Sequence, residues 1–278
     1  MGHKYLTEQV QATIRTEAAR ALAFIDSIEP PISLKDLYLN DNLVTSTFKP
    51  DDPDYLELAE RIGADAKSLR GCLFVPDRHV IARDDGYKQR TNFVLAHEFG
   101  HWKLPWHQAL LYQCTQFDLS TKASAQLEKE ANFFASELCF MGDNFTKRIH
   151  DSEISIKSLA ELADKFQMSK EATFRRSIEL EQRPCMMLRM TYVPPVVKDG
   201  QRGDYMKIDY IVYSDSFQKS FGSIQYDQTF SSDHVLAQVR KSSSNFFESE
   251  ISLRANNKVL RLQAWKNNWN YFAICTPK

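Results

Sequence analysis

The run Phe93-Val-Leu-Ala-His97-Glu98-Phe-Gly-His101-Trp sets two histidines four positions apart, with a glutamate directly after the first. On an α-helix such histidines are about 40° apart around the axis and one turn apart along it, so both imidazoles reach a single tetrahedral metal ion. A zinc ion held in this way polarises a carbonyl and lowers the pKa of a water in its fourth position to about 7, the chemistry of a hydrolase that works at neutral pH without a covalent intermediate. Glu98 is too close along the helix to be the third ligand. It is well placed to act as the general base.

Two histidines do not complete such a centre. A second helical run from about Ala123 to Met141 sets Leu127, Ala131, Phe134 and Leu138 in an apolar stripe and offers Glu128, Glu130 and Glu137. Glu128 has Asn132 one turn later on the same side, which suits a ligand carboxylate beside a residue that orients the other ligands. Glu130 points about 200° away and is the alternative. The expectation is one zinc ion per chain on His97, His101 and Glu128, with Asn132 supporting them; manganese or iron suits the same donors. Gly100, unfavourable inside a helix by about 1 kcal/mol relative to Ala, implies close approach of another backbone or of the second helix.

Three stretches together resemble the ImmA/IrrE family of zinc metallopeptidases. They are Arg90-Thr-Asn-Phe-Val-Leu-Ala-His-Glu-Phe-Gly-His101, Glu128-Lys-Glu-Ala-Asn-Phe-Phe-Ala-Ser-Glu-Leu138 and Leu159-Ala-Glu-Leu-Ala-Asp-Lys-Phe-Gln-Met-Ser169, within roughly residues 50–180. The resemblance implies that the first glutamate of the E-x-E-A-N pattern, here Glu128, is the third zinc ligand. It also implies a regulatory peptidase whose substrate is a helix-turn-helix repressor, cleaved to release stress, mobile-element or phage-defence genes. The family commonly ends its second helix in Leu-Leu-Met-Pro, where this chain has Leu138-Cys-Phe-Met-Gly142.

A peptidase of this kind needs restraint, and two features are candidates for it. Cys114 lies in the Pro105–Ser120 connection, from which a thiolate about 2.3 Å from zinc would take the water position; the plainer alternative is a small buried cysteine. In the C-terminal part, Arg254, Lys258, Arg261, Trp265, Lys266 and Trp269 interleave cations with aromatic rings, a pattern suited to single-stranded DNA as an activating ligand. Its alternative is a sheet core with the aromatics turned inwards. His79, His107, His150 and His234 have no partner spacing and read as structural or surface groups; for His107, which follows the motif helix closely, the alternative is an assisting role near the cleft. The competing view of the whole chain is a nucleic-acid-binding transcriptional regulator with a structural or vestigial metal site. An intact Glu98 speaks against it, because a structural site needs no base.

The elements that must position these residues follow from the wider pattern. With 278 residues, 43% of them apolar and 26% charged, the chain is long enough to bury a sizeable core. Five widely spaced cysteines without a CxxC pair argue against a disulfide framework and for a reducing cytoplasm. The first 24 residues lack the unbroken apolar run of a signal peptide or membrane anchor, so no membrane partner is expected. From Pro184 onward there are 12 Lys and Arg against 8 Asp and Glu, whereas the preceding residues carry 23 against 28.

Helical periodicity marks Thr7–Ile28, a stretch opening at Pro53, Arg90–Lys103 and Ala123–Met141, with a Pro- and Asp-rich loop after the first. Strands are expected at Cys72–Pro76 and His79–Arg83. Ser158-Leu-Ala-Glu161 is a capping-box pattern, and the two short helices around the turn Gln167-Met-Ser169 resemble a helix-turn-helix unit. Beyond Pro184, alternating aromatic segments indicate an antiparallel sheet. The expectation is an α+β chain with two parts. Residues 1–183 form a mainly α, zincin-like metallopeptidase domain with a short sheet and helix-turn-helix-like helices near 156–180, and residues 184–278 form a smaller β-rich sensor domain.

Overall fold

The structure, a computed structural model, describes residues 6–25, 29–61, 63, 65, 67–113, 121–198, 201–222, 229–231, 233–252, 258–267 and 270–278. It is a mixed α+β fold in two compact units, one of Met1–Phe145 with Lys165–Met168, the other of Thr146–Asp164 with Ser169–Lys278.

In the first unit, α1 (Glu8–Leu22) starts where the Thr7 hydroxyl accepts from Val10 N–H, and buries Ile14, Ala18 and Ala21. The expected loop after it contains α2 (Leu34–Asn40) and β1 (Val44–Phe48). Locally, Ser33 caps α2 by accepting from Asp36 N–H, and Leu34, Leu37 and Tyr38 supply its buried stripe. Next come α3 (Pro53–Arg61), β2 (Gly71–Phe74) and β3 (His79–Arg83), forming a three-stranded sheet of order β1-β3-β2. β1 runs parallel to β3, and β2 runs antiparallel to it with Gly71 opposite Ala82 and Phe74 opposite His79. β2 is therefore an edge strand.

Helix α4 (Lys88–Lys103) lies against β2 and β3, and α5 (Pro105–Gln113) follows it after a one-residue break at Leu104. Helix α6 (Thr121–Cys139) packs on both α1 and α4. Gly100 permits that approach, since a Cβ there would lie 3.1 Å from Phe134 Cδ1 and 3.3 Å from the Ala131 backbone. Helix α4 is also tied down by α2: the Tyr38 hydroxyl donates to the Leu95 carbonyl at 2.6 Å, and Asp41 Oδ2 accepts from Trp102 Nε1 and Lys103 Nζ at 2.9 Å.

The exit of α6 explains its departure from the family's proline. Met141 is left-handed at φ 54°, its N–H donates to Leu138 O at 3.0 Å, and Gly142 N–H donates to Glu137 O at 3.0 Å. This is a Schellman cap, and a proline at 141 or 142 would lack the N–H each position uses.

The second unit holds α8 (Ile156–Lys165, its last residue counted with the first unit) and α9 (Lys170–Leu180), preceded by α7 (Asp143–His150), which spans the division. It then builds a six-stranded antiparallel sheet of order β6-β5-β4-β9-β8-β7 from β4 (Met186–Lys198), β5 (Gln201–Tyr213), β6 (Thr229–Ser231), β7 (Phe246–Ser252), β8 (Val259–Lys266) and β9 (Tyr271–Pro277). One face, with Met186, Leu188, Leu262, Ala264 and Cys275, closes a core with Phe217 of α10 (Asp215–Phe221), Leu236, and Val239 of α11 (Gln238–Lys241). The other face receives α9. Phe174 meets Trp265 and Phe272 edge-on at centroid distances of 6.2 and 6.0 Å, and Glu171 accepts from Tyr210 Oη at 2.8 Å. The two short helices read as a helix-turn-helix therefore form, but Thr173, Phe174, Arg176, Ser177 and Ile178 are buried.

Candidate metal centre

Helix α4 directs His97 and His101 toward α6, which sets Glu128 opposite them. His97 Nε2 and His101 Nε2 are 3.2 Å apart, Glu128 Oε2 is 3.1 Å from the first, and Glu128 Oε1 is 3.3 Å from the second. Donor atoms 2.0–2.1 Å from a tetrahedral zinc are about 3.3–3.4 Å from one another, so the triangle has the size the ion needs. The other ring nitrogens are engaged elsewhere. His97 Nδ1 is 3.2 Å from Asn132 Oδ1, and the Asn132 amide is oriented by its Nδ2 donating to the Glu128 carbonyl at 2.7 Å. His97 Nδ1 is thereby the donor, and its Nε2 keeps a lone pair turned to the cluster. Three lone-pair-bearing atoms at this spacing repel one another unless a cation or a proton sits among them.

The electrostatics agree. Partial burial alone would raise the Glu128 carboxyl, and the imidazoles of His101 and His97 more than reverse this, holding it well below the usual carboxylate range. Burial would lower His97, but the Glu128 and Glu98 carboxylates prevail and raise it. Glu98 is 8% exposed and is pushed up by burial, against the pull of His97 and His101. Its carboxylate rests on the edge strand: a Cβ added to Gly71 would lie 2.7 Å from Glu98 Oε1 and 2.6 Å from Val94 Cγ1. The expected base thus lies between the ligand helix and an edge strand, where an extended peptide can pair with backbone.

Glu130, the alternative ligand, is turned away from the triangle. Its Oε2 accepts from Trp106 Nε1 at 2.6 Å and from His107 Nε2 at 3.0 Å, and its Oε1 accepts from Gln126 Nε2 at 2.8 Å. His107 in turn places Nδ1 3.0 Å from His101 Nδ1. In the sequence His107 follows the motif helix closely but reads against a role there, because it lies beyond the break at Leu104-Pro105, where the periodicity of α4 no longer says which way it faces. Burial lowers His107 to about 4, so the imidazole is neutral at pH 7.

Cys114, Arg254 and Trp269 lie outside the described residues. The other four residues assigned to nucleic acid are engaged within their own unit. Arg261 pairs with Glu248 at 2.6 Å and Glu153 at 2.9 Å, and Lys266 Nζ donates to the Arg240 and Ser242 carbonyls at 3.0 and 2.6 Å. Trp265 stacks on Phe272 at 5.8 Å, and Lys258 Nζ lies 4.5 Å from the Phe221 ring centroid. Among the described residues no helix is long and apolar enough to cross a membrane.

A helix with two histidines, a second helix with a glutamate facing them, and a short sheet beneath define a metallopeptidase-type domain. Residues 53–177 match the family model described as the IrrE N-terminal-like domain, a peptidase family, and this match supports the assignment of that part of the chain to the ImmA/IrrE family. A solved structure described as a Mycobacterium tuberculosis transcriptional regulator is similar in fold, with a TM-score of 0.58 at 12% identity over 99% of this chain and 77% of that one. No curated protein matches the chain. The family supports a protease-like regulatory role.

Proposed function

We propose that the protein is a zinc-dependent endopeptidase that cleaves a specific helix-turn-helix transcriptional repressor in the cytoplasm, so releasing stress or phage-defence genes. The observation that carries the reading is the triangle of His97 Nε2, His101 Nε2 and Glu128 carboxylate oxygens at 3.1–3.3 Å, with Glu98 buried beside it. A zinc ion there would supply Lewis acidity toward the scissile carbonyl and toward water.

The chain's own residues account for the rest. Asn132 holds the His97 ring, and β2 offers backbone groups to an extended substrate. Glu98 takes a proton on its carboxylate during attack and returns it to the departing amine. The upward push on Glu98 makes its carboxylate a stronger base for the first transfer and lets it hold that proton until the amine departs.

Regulation is proposed to reside in the C-terminal unit, with single-stranded DNA as the ligand to test first. Such a ligand would have to compete with Glu248 and Glu153 for Arg261, or act through residues other than those engaged within the unit. The experiment incubates the purified protein with the repressor encoded nearest its gene, with and without single-stranded DNA, and compares wild type with Glu98→Gln. Cleavage by wild type alone supports the peptidase, and its dependence on DNA supports the sensor. Intact repressor in every lane, with zinc bound, sinks the proposed substrate.

A further inference from the structure

We infer that Glu130 and His107 form a buried hydrogen-bonded relay whose task is to set the tautomer of His101, so that His101 turns Nε2 and not an N–H toward the metal. The inference rests on the zinc reading of the site and adds two positioning residues to it.

The argument starts at Glu130, which is 5% exposed. Its two oxygens face three donors: the Trp106 indole, the Gln126 amide and His107 Nε2. A carboxylate can only accept, so His107 carries its proton on Nε2. His107 is fully buried, at 0% exposure, and a histidine that meets a metal through Nε2 carries its own proton on Nδ1. His107 Nδ1 faces His101 Nδ1 at 3.0 Å, so His101 is the donor of this hydrogen bond and His107 Nδ1 its bare acceptor. With its proton held on Nδ1, His101 keeps the Nε2 lone pair, which lies 3.2 Å from His97 Nε2 and 3.3 Å from Glu128 Oε1.

Each histidine ligand is thus oriented through its far nitrogen, but by different means. Half-buried His97 uses the exposed Asn132 amide, whereas His101 uses an imidazole backed by a carboxylate. A carboxylate acting through a ring also raises the basicity of the ligand nitrogen, and loss of such partners typically weakens metal binding about 10- to 100-fold.

The test is zinc affinity, measured by competition with a chromogenic chelator, on the full chain and His107→Phe, His107→Asn and Glu130→Leu. His107→Phe removes the acceptor while keeping much of the volume and should weaken zinc about 10- to 100-fold. His107→Asn returns an oxygen to the position of Nδ1 and should recover most of that loss, which a purely packing role does not predict. Glu130→Leu should weaken zinc, and combining it with His107→Phe should add little, since the two act through one bond.

Zinc binding by His107→Phe within twofold of wild type overturns the relay. If the variants fail to fold, long-range proton–nitrogen NMR of wild type decides: protons on His107 Nε2 and His101 Nδ1 support the relay, and a proton on His107 Nδ1 overturns it. If wild type itself takes up no zinc, the metal assignment fails, and the same tautomers read in the metal-free protein still decide the relay.

Discussion

Helices α4 and α6 and strand β8 of the sheet are built from similar materials, yet they treat their polar groups in opposite ways. On the sheet, Arg261 meets two carboxylates, Lys266 meets two carbonyls and Trp265 meets a ring on each side. Between the helices, two imidazole nitrogens and a carboxylate converge on one point at 3.1–3.3 Å, while the far ring nitrogens have their own partners. Polar groups left facing one another are costly unless a ligand completes them. The contrast between groups paired one to one and groups that converge on a single point, more than composition, separates the candidate site from the scaffold.

The sharpest way to break the contrast is Glu98→Gln. The amide keeps the volume beside Gly71 and Val94 and leaves all three ligands in place, so zinc content should be unchanged. Repressor cleavage should fall about 10²- to 10⁴-fold, the usual contribution of a general base. Cleavage within tenfold of wild type would remove Glu98 from the chemistry and leave the triangle as a structural site.

On the scaffold side the largest effect belongs to Phe174. The ring is fully buried between Trp265 and Phe272. Phe174→Ala should cost about 3–5 kcal/mol in chemical denaturation followed by tryptophan fluorescence, half-buried Trp265 being the reporter beside the cavity. A loss under 1 kcal/mol would mean that α9 does not depend on its packing against the sheet.

Gly71→Ala probes the boundary between scaffold and site. The added methyl would overlap Val94 Cγ1 and Glu98 Oε1, and Val94 is a stiff β-branched side chain on a helix. Overpacking of this kind costs about 1–3 kcal/mol. Because one of the atoms that must move is the base carboxylate, cleavage should fall while zinc binding is retained. Weaker zinc binding with cleavage unchanged would show that the strand bears on the ligands and not on the base.

The legible part of this molecule is the part governed by local geometry. The i, i+4 spacing of His97 and His101 and the shared side of Glu128 and Asn132 are properties of single helices, and the structure brings those four residues together. Period-two alternation likewise marks β8 and β9. What escaped depends on tertiary neighbours. His107 reaches His101 only because the chain turns at Leu104-Pro105, and Glu130 is distinguished from Glu128 by what lies opposite it. Helix α9 carries the pattern of a helix-turn-helix, but its apolar side is explained by a sheet formed much later in the chain. β1 has few local signals beyond Val44 and Thr45, and it is held by parallel pairing with β3 across an intervening helix.

The smallest expected effect bears on the other half of the contrast, the basic and aromatic residues of the C-terminal unit. Arg261 is 43% exposed at its side chain and is shared by Glu248 and Glu153, whose charges already neutralise it locally. Exposed pairs contribute about 0–1 kcal/mol, so Arg261→Gln should scarcely change stability. A guanidinium so occupied is also a poor phosphate ligand, so affinity for a single-stranded oligonucleotide should stay within about twofold, with an unchanged salt dependence. If instead affinity falls and the salt slope drops by about one, Arg261 is contacting phosphate. The DNA must then displace Glu248 and Glu153, and that displacement would itself be the event by which the sheet reports a bound strand.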